Sequence, residues 1–297
     1  MPGARKRRED PSSRIPSLER ESMADKLRRN LTVSDFLRYK AASPEMLAYL
    51  WLAMENKKTV LVCGPSGCGK STTWNILTGF IPRKSPSLII QDRKGEDRSA
   101  EIRASSAGFP KQLDYLLIRE LHGQEAYEAF YKMAEGQAIC TTIACPADPK
   151  AFVSALEGPP LNMPRILLTA LNILVLQEPV EVRGTKERRM TRIVEFVGYE
   201  TETNELITNW TYEWEKRADS FRASGHSFML DELSERKGLA VADLWAALRR
   251  RAELLQDMVR KDVKDPAEVT KTVETYVSPG ATGERPPLQR IPPPVGR

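Results

Sequence analysis

Residues 59–72 read TVLVCGPSGCGKST and are the most informative part of the sequence. The first five form a short apolar run that leads into glycine, which is typical of a buried parallel strand. The rest has the pattern G-x-x-x-x-G-K-[ST], after which Trp74, Ile76 and Leu77 follow at helical spacing. The order of strand, glycine-rich loop and helix is the setting in which this pattern binds phosphate, so we favour a genuine site over a chance loop.

We call residues 64–72 the P-loop, and its residue types are those that hold a nucleotide phosphate chain. Glycines let successive backbone N–H groups point at phosphate oxygens, and the following helix N-terminus adds partial positive charge. Lys70 is predicted to bridge the β- and γ-phosphates, and Ser71 to bind Mg²⁺. ATP and Mg²⁺ are therefore the predicted ligands. The predicted binding residues are Gly64, Pro65, Ser66, Gly67, Cys68, Gly69, Lys70, Ser71 and Thr72.

Further apolar runs predict an α/β fold with a parallel sheet flanked by helices. These runs cover residues 88–90, 115–118, 138–143 and 173–176, and the stretches between them are long enough for helical crossovers. Residues 180–214 alternate between apolar and polar, which predicts an antiparallel β appendage. From Phe228 onward apolar residues recur at steps of three and four, which predicts C-terminal helices.

The composition is that of a folded protein with polar tails. The chain has 297 residues, of which 41% are hydrophobic and 29% charged, close to the globular average. Much of the net charge of +5 lies in residues 1–30, which we interpret as a disordered basic tail rather than an arm for anionic lipid or nucleic acid. Residues 278–297 are rich in proline and predict a second disordered tail. Residues 31–277 are left as the folded body.

The sequence gives no indication of membrane insertion or export, so we expect a cytoplasmic protein. The longest apolar stretch, residues 166–176, would span only about 16 Å as a helix, against a bilayer core of roughly 30 Å. The basic N-terminus is followed by no apolar segment of a secretory signal. The cysteines fit no zinc-binding spacing and are expected to be reduced thiols. They are Cys63, Cys68, Cys140 and Cys145.

A second acid is needed near the P-loop to hold Mg²⁺ through water. Glu120 ends the apolar run 115–118 after Arg119, in the position of a Walker B acid, and is the predicted metal partner. The alternative is that Glu120 caps the helix that begins near Gly123. Asp114 begins the same strand and would lie about 20 Å away, which disfavours it as a ligand.

Several segments together resemble one protein family. Before the P-loop they are LTVSDFLRY at 31–39 and SPEMLAYLWLA at 43–53, and after it DYLLIRE at 114–120, GQEAY at 123–127 and PPLNMPR at 159–165. In this order they are similar to the type II/IV secretion system ATPases, in particular the motors of archaella and type IV pili in archaea. The resemblance extends over about residues 27–277.

This resemblance implies a RecA-like motor domain that works as a hexameric ring at the cytoplasmic face of the cell membrane. ATP hydrolysis would drive pilus or archaellum assembly or protein secretion, with a membrane platform protein as partner and no specific nucleic acid. Lys70, Glu120 and Glu96 are the candidate catalytic residues.

Departures from the family pattern leave other interpretations open. Gln91 stands where the family has the first glutamate of an acidic box, Ala144 replaces a histidine, and Arg119 replaces a glycine beside the Walker B acid. One alternative is a divergent, slow or inactive paralogue that binds nucleotide and serves as a ring component or regulator. Another is an unrelated P-loop protein such as a transporter ATPase, although the chain contains no Leu-Ser-Gly-Gly-Gln-type signature.

Overall fold

The computed structural model of the chain describes residues 31–90, 98–104 and 113–277. The two predicted tails, Gln91 and the candidate catalytic residue Glu96 lie outside these ranges. The described residues contain one eight-stranded sheet. Its strands are β1 (Val60–Gly64), β2 (Ser87–Ile90), β3 (Tyr115–Leu121), β4 (Ala138–Ala144), β5 (Ile173–Val182), β6 (Thr185–Glu200), β7 (Glu205–Glu215) and β8 (Ser220–Ala223).

The strand order is β2-β3-β4-β1-β5-β6-β7-β8. The first five strands are parallel, and the order in which β4 separates β1 from β3 is that of RecA-like P-loop folds. Strands β5 to β8 pair antiparallel, as predicted for residues 180–214. These antiparallel strands continue the main sheet, because β5 pairs with β1 through its first half and with β6 along its whole length.

Helices cover both faces of the sheet, which confirms the predicted fold class. In chain order they are α1 (Val33–Arg38), α2 (Pro44–Glu55), α3 (Lys70–Gly79), α4 (Ser99–Ala104), α5 (Glu125–Ala134), α6 (Pro149–Glu157), α7 (Phe228–Lys237), α8 (Val241–Arg260) and α9 (Pro266–Val277). A 3₁₀ helix at Arg165–Ala170 precedes β5. Helices α2, α3 and α8 bury apolar side chains on one face, and α5 and α6 on the other.

Local sequence explains why the central helix α2 begins where it does. The Ser43 hydroxyl accepts a hydrogen bond from the Met46 N–H at 3.2 Å, and Pro44 occupies the first turn, where its missing N–H costs nothing. Trp51 of α2 is fully buried and stacks on Phe80, with ring centroids 5.2 Å apart and planes at 7°. Burying one such side chain contributes roughly 1.5–3 kcal/mol.

A buried carboxylate joins the sheet to the helices that follow it. Glu195 of β6 is 2% exposed and accepts five hydrogen bonds. The donors are the Tyr49 hydroxyl at 2.7 Å, the Ser227 hydroxyl at 2.6 Å, the Asn209 amide at 2.8 Å and the backbone N–H groups of Phe228 at 3.0 Å and Met229 at 2.9 Å. The carboxylate thereby also lies at the N-terminus of α7, where negative charge is favourable.

The expectation of four reduced cysteines is wrong for one pair. Cys63 at the end of β1 and Cys145 just after β4 form a disulfide, with their Cα atoms 6.0 Å apart. The parallel pairing of β1 with β4 brings together these two residues, which are 82 positions apart in sequence. Cys68 and Cys140 are free and buried. Among the described helices, none combines the length and apolarity needed to cross a membrane.

Candidate nucleotide-binding site

The P-loop lies at the carboxyl end of β1, between β4 and β5, and leads directly into α3. Gly69 has φ +105°, a backbone conformation that residues other than glycine rarely adopt. At Gly64 a Cβ atom would come within 1.9 Å of the Gln177 carbonyl oxygen. Glycine is therefore required at both positions, for backbone conformation at Gly69 and for close packing against β5 at Gly64.

The side chain of Lys70 connects the P-loop to the end of β3. Lys70 is only 6% exposed, and its Nζ donates to the carbonyl oxygens of Gly64 at 3.1 Å and Pro65 at 3.2 Å. The same Nζ lies 3.5 Å from Oε1 of Glu120. The structure therefore brings the two principal predicted site residues together across the intervening strand β4.

The oxygen donors at this position suit Mg²⁺, which prefers hydroxyl, carboxylate and water ligands. Ser71 is exposed at the start of α3, and Glu120 is partly exposed beside Lys70. These two residues would hold the ion together with the phosphates. Thr72 follows Ser71 in the first turn and is half-buried, whereas Ser66, Gly67 and Ser71 are the exposed residues of the P-loop around the buried Lys70.

Gln177 is a functional residue that the sequence analysis missed. It is fully buried on β5, where its Nε2 donates to the Cys68 carbonyl at 2.9 Å and its Oε1 accepts from the Thr73 hydroxyl at 2.6 Å. The amide thus fixes both the P-loop backbone and the first turn of α3. The available signal was a polar residue that directly follows the apolar run at 173–176.

Arg188 of β6 is a second residue that local patterns did not reveal. Its Nε donates to the Gly67 carbonyl at 2.9 Å, so β5 and β6 both contribute a side chain to the P-loop. Burial raises the pKa of the nearby Cys68 thiol, while the positive charge of Lys70 acts in the opposite direction. Cys68 accordingly serves as a small apolar side chain beneath the loop.

Among the described residues, Arg119 contacts α3 rather than Glu120, its neighbour in the sequence. The guanidinium carbon of Arg119 lies over the ring of Trp74 of α3, 5.4 Å from its centroid. Its Nη2 donates to Asn75 Oδ1 at 3.2 Å, and within the described ranges Arg119 forms no ion pair with Glu120. The carboxylate of Glu120 is therefore left facing Lys70.

Ala144, which stands where the secretion ATPases that the sequence resembles have a histidine, lies close to the P-loop. Ala144 at the end of β4 pairs in register with Gly64. Its methyl group cannot donate a hydrogen bond at this position. Thr142, two residues earlier, donates to the Arg119 carbonyl at 2.7 Å and links β4 to β3. The amide Gln91 and the candidate catalytic acid Glu96 lie outside the described residues.

A buried ion pair supports the end of β3 from the opposite side. The backbone N–H and Nε of Arg98 donate to Glu125 Oε1 at 2.7 and 2.9 Å, and Nη2 donates to the Glu120 carbonyl. Burial alone would raise the pKa of Glu125, but the hydrogen bonds from Arg98 and the His122 N–H outweigh it and hold the pKa below its usual value. Glu125 rather than Glu120 therefore caps this turn.

Comparisons with known proteins identify related chains. An uncharacterised protein of Methanocaldococcus jannaschii, MJ1287, is 31% identical over 76% of this chain and 91% of its own length. A second, MJ0900, is 26% identical over 85% of this chain, which spans half of that protein. The VirB11 ATPase of the Brucella suis type IV secretion system, solved with sulphate, aligns over 54% of this chain and 56% of its own at 19% identity and a TM-score of 0.43.

A family model described as ABC transporter matches residues 47–213, from α2 through the P-loop to β7. This range includes the P-loop, strand β3, Gln177 and Arg188. Because the match covers more than half of its length, the chain belongs to the ABC transporter family of P-loop domains.

Proposed function

We propose that the chain binds MgATP at the P-loop and hydrolyses it. The observation that carries this proposal is the distance of 3.5 Å between Lys70 Nζ and Glu120 Oε1 at the carboxyl ends of β1 and β3. Lys70 is poised to exchange its carbonyl partners for phosphate oxygens, and Glu120 to orient water around the Mg²⁺ that the nucleotide brings. The bound ion supplies charge neutralisation at the phosphates.

In this proposal the chain works as a hexamer at a membrane platform protein. Its ATP hydrolysis drives the assembly of a pilus or archaellum, or the secretion of protein. The support is the sequence resemblance to type II/IV secretion ATPases along residues 27–277. A transport ATPase is a second candidate, favoured by the family match. The chain lacks the Leu-Ser-Gly-Gly-Gln-type signature, and this absence favours the assembly motor.

A nucleotide-binding regulator with slow or no turnover is a third candidate, and Ala144 favours it. A methyl group in register with Gly64 donates no hydrogen bond to a phosphate oxygen. Loss of one such donor typically lowers the rate by about 10²–10³-fold.

Calorimetry and turnover on two variants test the proposal. Lys70→Ala should weaken MgATP binding by about 2–3 kcal/mol through lost charge-assisted hydrogen bonds. Glu120→Gln should retain ATP binding and lower turnover about 100-fold or more. Lys57→Ala and Glu135→Gln are matched controls, since both side chains are exposed and belong to other parts of the surface. Equal ATP affinity in wild type and Lys70→Ala would refute the assignment of the site.

Oligomeric state and rate separate the three candidates. The assembly motor predicts a hexamer in light scattering with MgATP, together with turnover that Lys70→Ala abolishes. A protein of 33.5 kDa that binds ATP as a monomer, with turnover well below about 0.1 per second, would instead support the regulator.

A further inference from the structure

Strands β5 and β6 hold the P-loop from the side opposite to Glu120. Gln177 of β5 donates to the Cys68 carbonyl at 2.9 Å, and Arg188 of β6 donates to the preceding carbonyl, that of Gly67, also at 2.9 Å. Two consecutive P-loop carbonyls are thus fixed by side chains from one hairpin. Hydrogen-bonded carbonyls on the outside of the loop leave its N–H groups free to turn inward.

The two side chains differ in one respect. Gln177 is fully buried and uses both ends of its amide within the protein. Arg188 is half-buried and uses only Nε, and within the part of the chain that the structure describes neither of its Nη groups has a hydrogen-bond or ion-pair partner. The hydrogen bond to the Gly67 carbonyl needs only one neutral N–H donor. The Nη donors and the positive charge of Arg188 therefore contribute nothing further to holding the P-loop.

Within residues 31–90, 98–104 and 113–277, no charged side chain forms an ion pair with Arg188. Its partner across the hairpin is Pro179, and the next residue on β6, Arg189, pairs with Asp219 at 2.9 Å and lies 3.8 Å from Glu187. Arg189 is therefore a satisfied structural arginine, whereas the charge of Arg188 stands uncompensated against the P-loop. The Cδ atom of Arg188 would lie only 3.6 Å from a Cβ at Gly69, the residue before Lys70.

We propose that Arg188 is a phosphate-binding residue that β6 supplies in cis, so that Lys70 and Arg188 contact the nucleotide phosphates from opposite sides of the loop. A guanidinium anchored through Nε presents its two Nη groups in a fixed plane, the geometry that binds phosphate oxygens in pairs. This proposal rests on ATP binding at the P-loop and adds a residue that the P-loop motif does not contain.

Arg188→Gln tests the proposal, because glutamine places an N–H donor the same number of bonds from Cβ as arginine Nε. The variant can therefore keep the tether to Gly67 while losing the charge and the Nη donors. We expect its affinity for MgATP and for tripolyphosphate, measured by calorimetry, to fall about tenfold or more, as loss of a charge-assisted hydrogen bond predicts. Lys186→Gln, an exposed cation on the same hairpin, is the control and should change neither affinity.

The outcomes distinguish this proposal from the proposed function. If wild type binds MgATP and Lys70→Ala weakens it, but Arg188→Gln behaves as Lys186→Gln does, Arg188 is only a tether and the proposal is overturned. If wild type itself binds neither ATP nor tripolyphosphate, the proposed function fails first. If Arg188→Gln does not fold, Arg188→Lys is measured in its place. One ammonium group cannot fully bind both the Gly67 carbonyl and a phosphate, so a several-fold loss of MgATP affinity supports the phosphate contact. An affinity equal to that of wild type overturns the proposal.

Discussion

Replacing Gln177 by leucine should destabilise the protein and weaken its binding of ATP. The substitution removes the hydrogen bonds to the Cys68 carbonyl and the Thr73 hydroxyl, each with a net value of about 1 kcal/mol. Thr73 keeps a long contact of 3.4 Å to the Gly69 carbonyl, whereas the Cys68 carbonyl is left unpaired at a further cost of about 1–3 kcal/mol. The free energy of unfolding should therefore fall by about 3–5 kcal/mol.

A double-mutant cycle with Thr73→Val provides the measurement. Urea denaturation of the single and double variants should show that the double variant loses less than the sum of the two, because one contact is removed by either change. Gln124→Leu at the start of α5, outside the P-loop, is the control for replacing an exposed glutamine. Strict additivity, or a loss below about 0.5 kcal/mol for Gln177→Leu, would show that the amide does not hold the loop.

Three further perturbations test other parts of the structure. Glu195→Gln should lower the free energy of unfolding by about 3 kcal/mol in urea denaturation, because an amide has a single acceptor oxygen for five donors, whereas Glu200→Gln on the exposed end of β6 should have little effect. The hydrogen bond from Arg189 holds the pKa of Asp219 below its usual value, so its contribution is present at pH 7 and lost as pH falls through the lowered pKa. Asp219→Asn should thus be less stable than wild type at pH 7 and approach it as the pH falls through the lowered pKa of Asp219, and a difference that stays constant through acid titration would contradict the assignment. Reduction of Cys63–Cys145 should lower the unfolding free energy by about 2–4 kcal/mol, an effect that Cys63→Ala should abolish, and equal stability of wild type with and without dithiothreitol would show that the bond is dispensable.

Short sequence patterns predicted the strands, the P-loop and the helices whose residues are close together in the sequence. The apolar run before Gly64 and the helical spacing after Lys70 identified β1, the P-loop and α3, and the same reasoning located Glu120 at the end of β3. The antiparallel strands were also predicted. The sequence did not predict that these strands continue the main sheet. Alternation of apolar and polar residues shows which side chains share a face of a strand, but it does not show which strands lie next to it.

The missed contacts to the P-loop span long distances in sequence. Gln177 contacts Thr73 across 104 positions, and Arg188 contacts Gly67 across 121, so no motif contains both partners. The disulfide depends in the same way on the register of β1 against β4. The position of the Arg119 side chain could not be predicted from the twofold period of a strand, because the register of β3 against β4 shifts between Ile118 and Leu121.

The hydrogen bonds to Glu195 determine where this chain can be shortened. A fragment that ended at residue 226 would contain every P-loop contact, yet it would lack Ser227, Phe228 and Met229, which supply three of the five donors to the buried carboxylate. It would also expose the apolar side of α2 against which α8 packs. We therefore expect fragments that end before α7 to be insoluble.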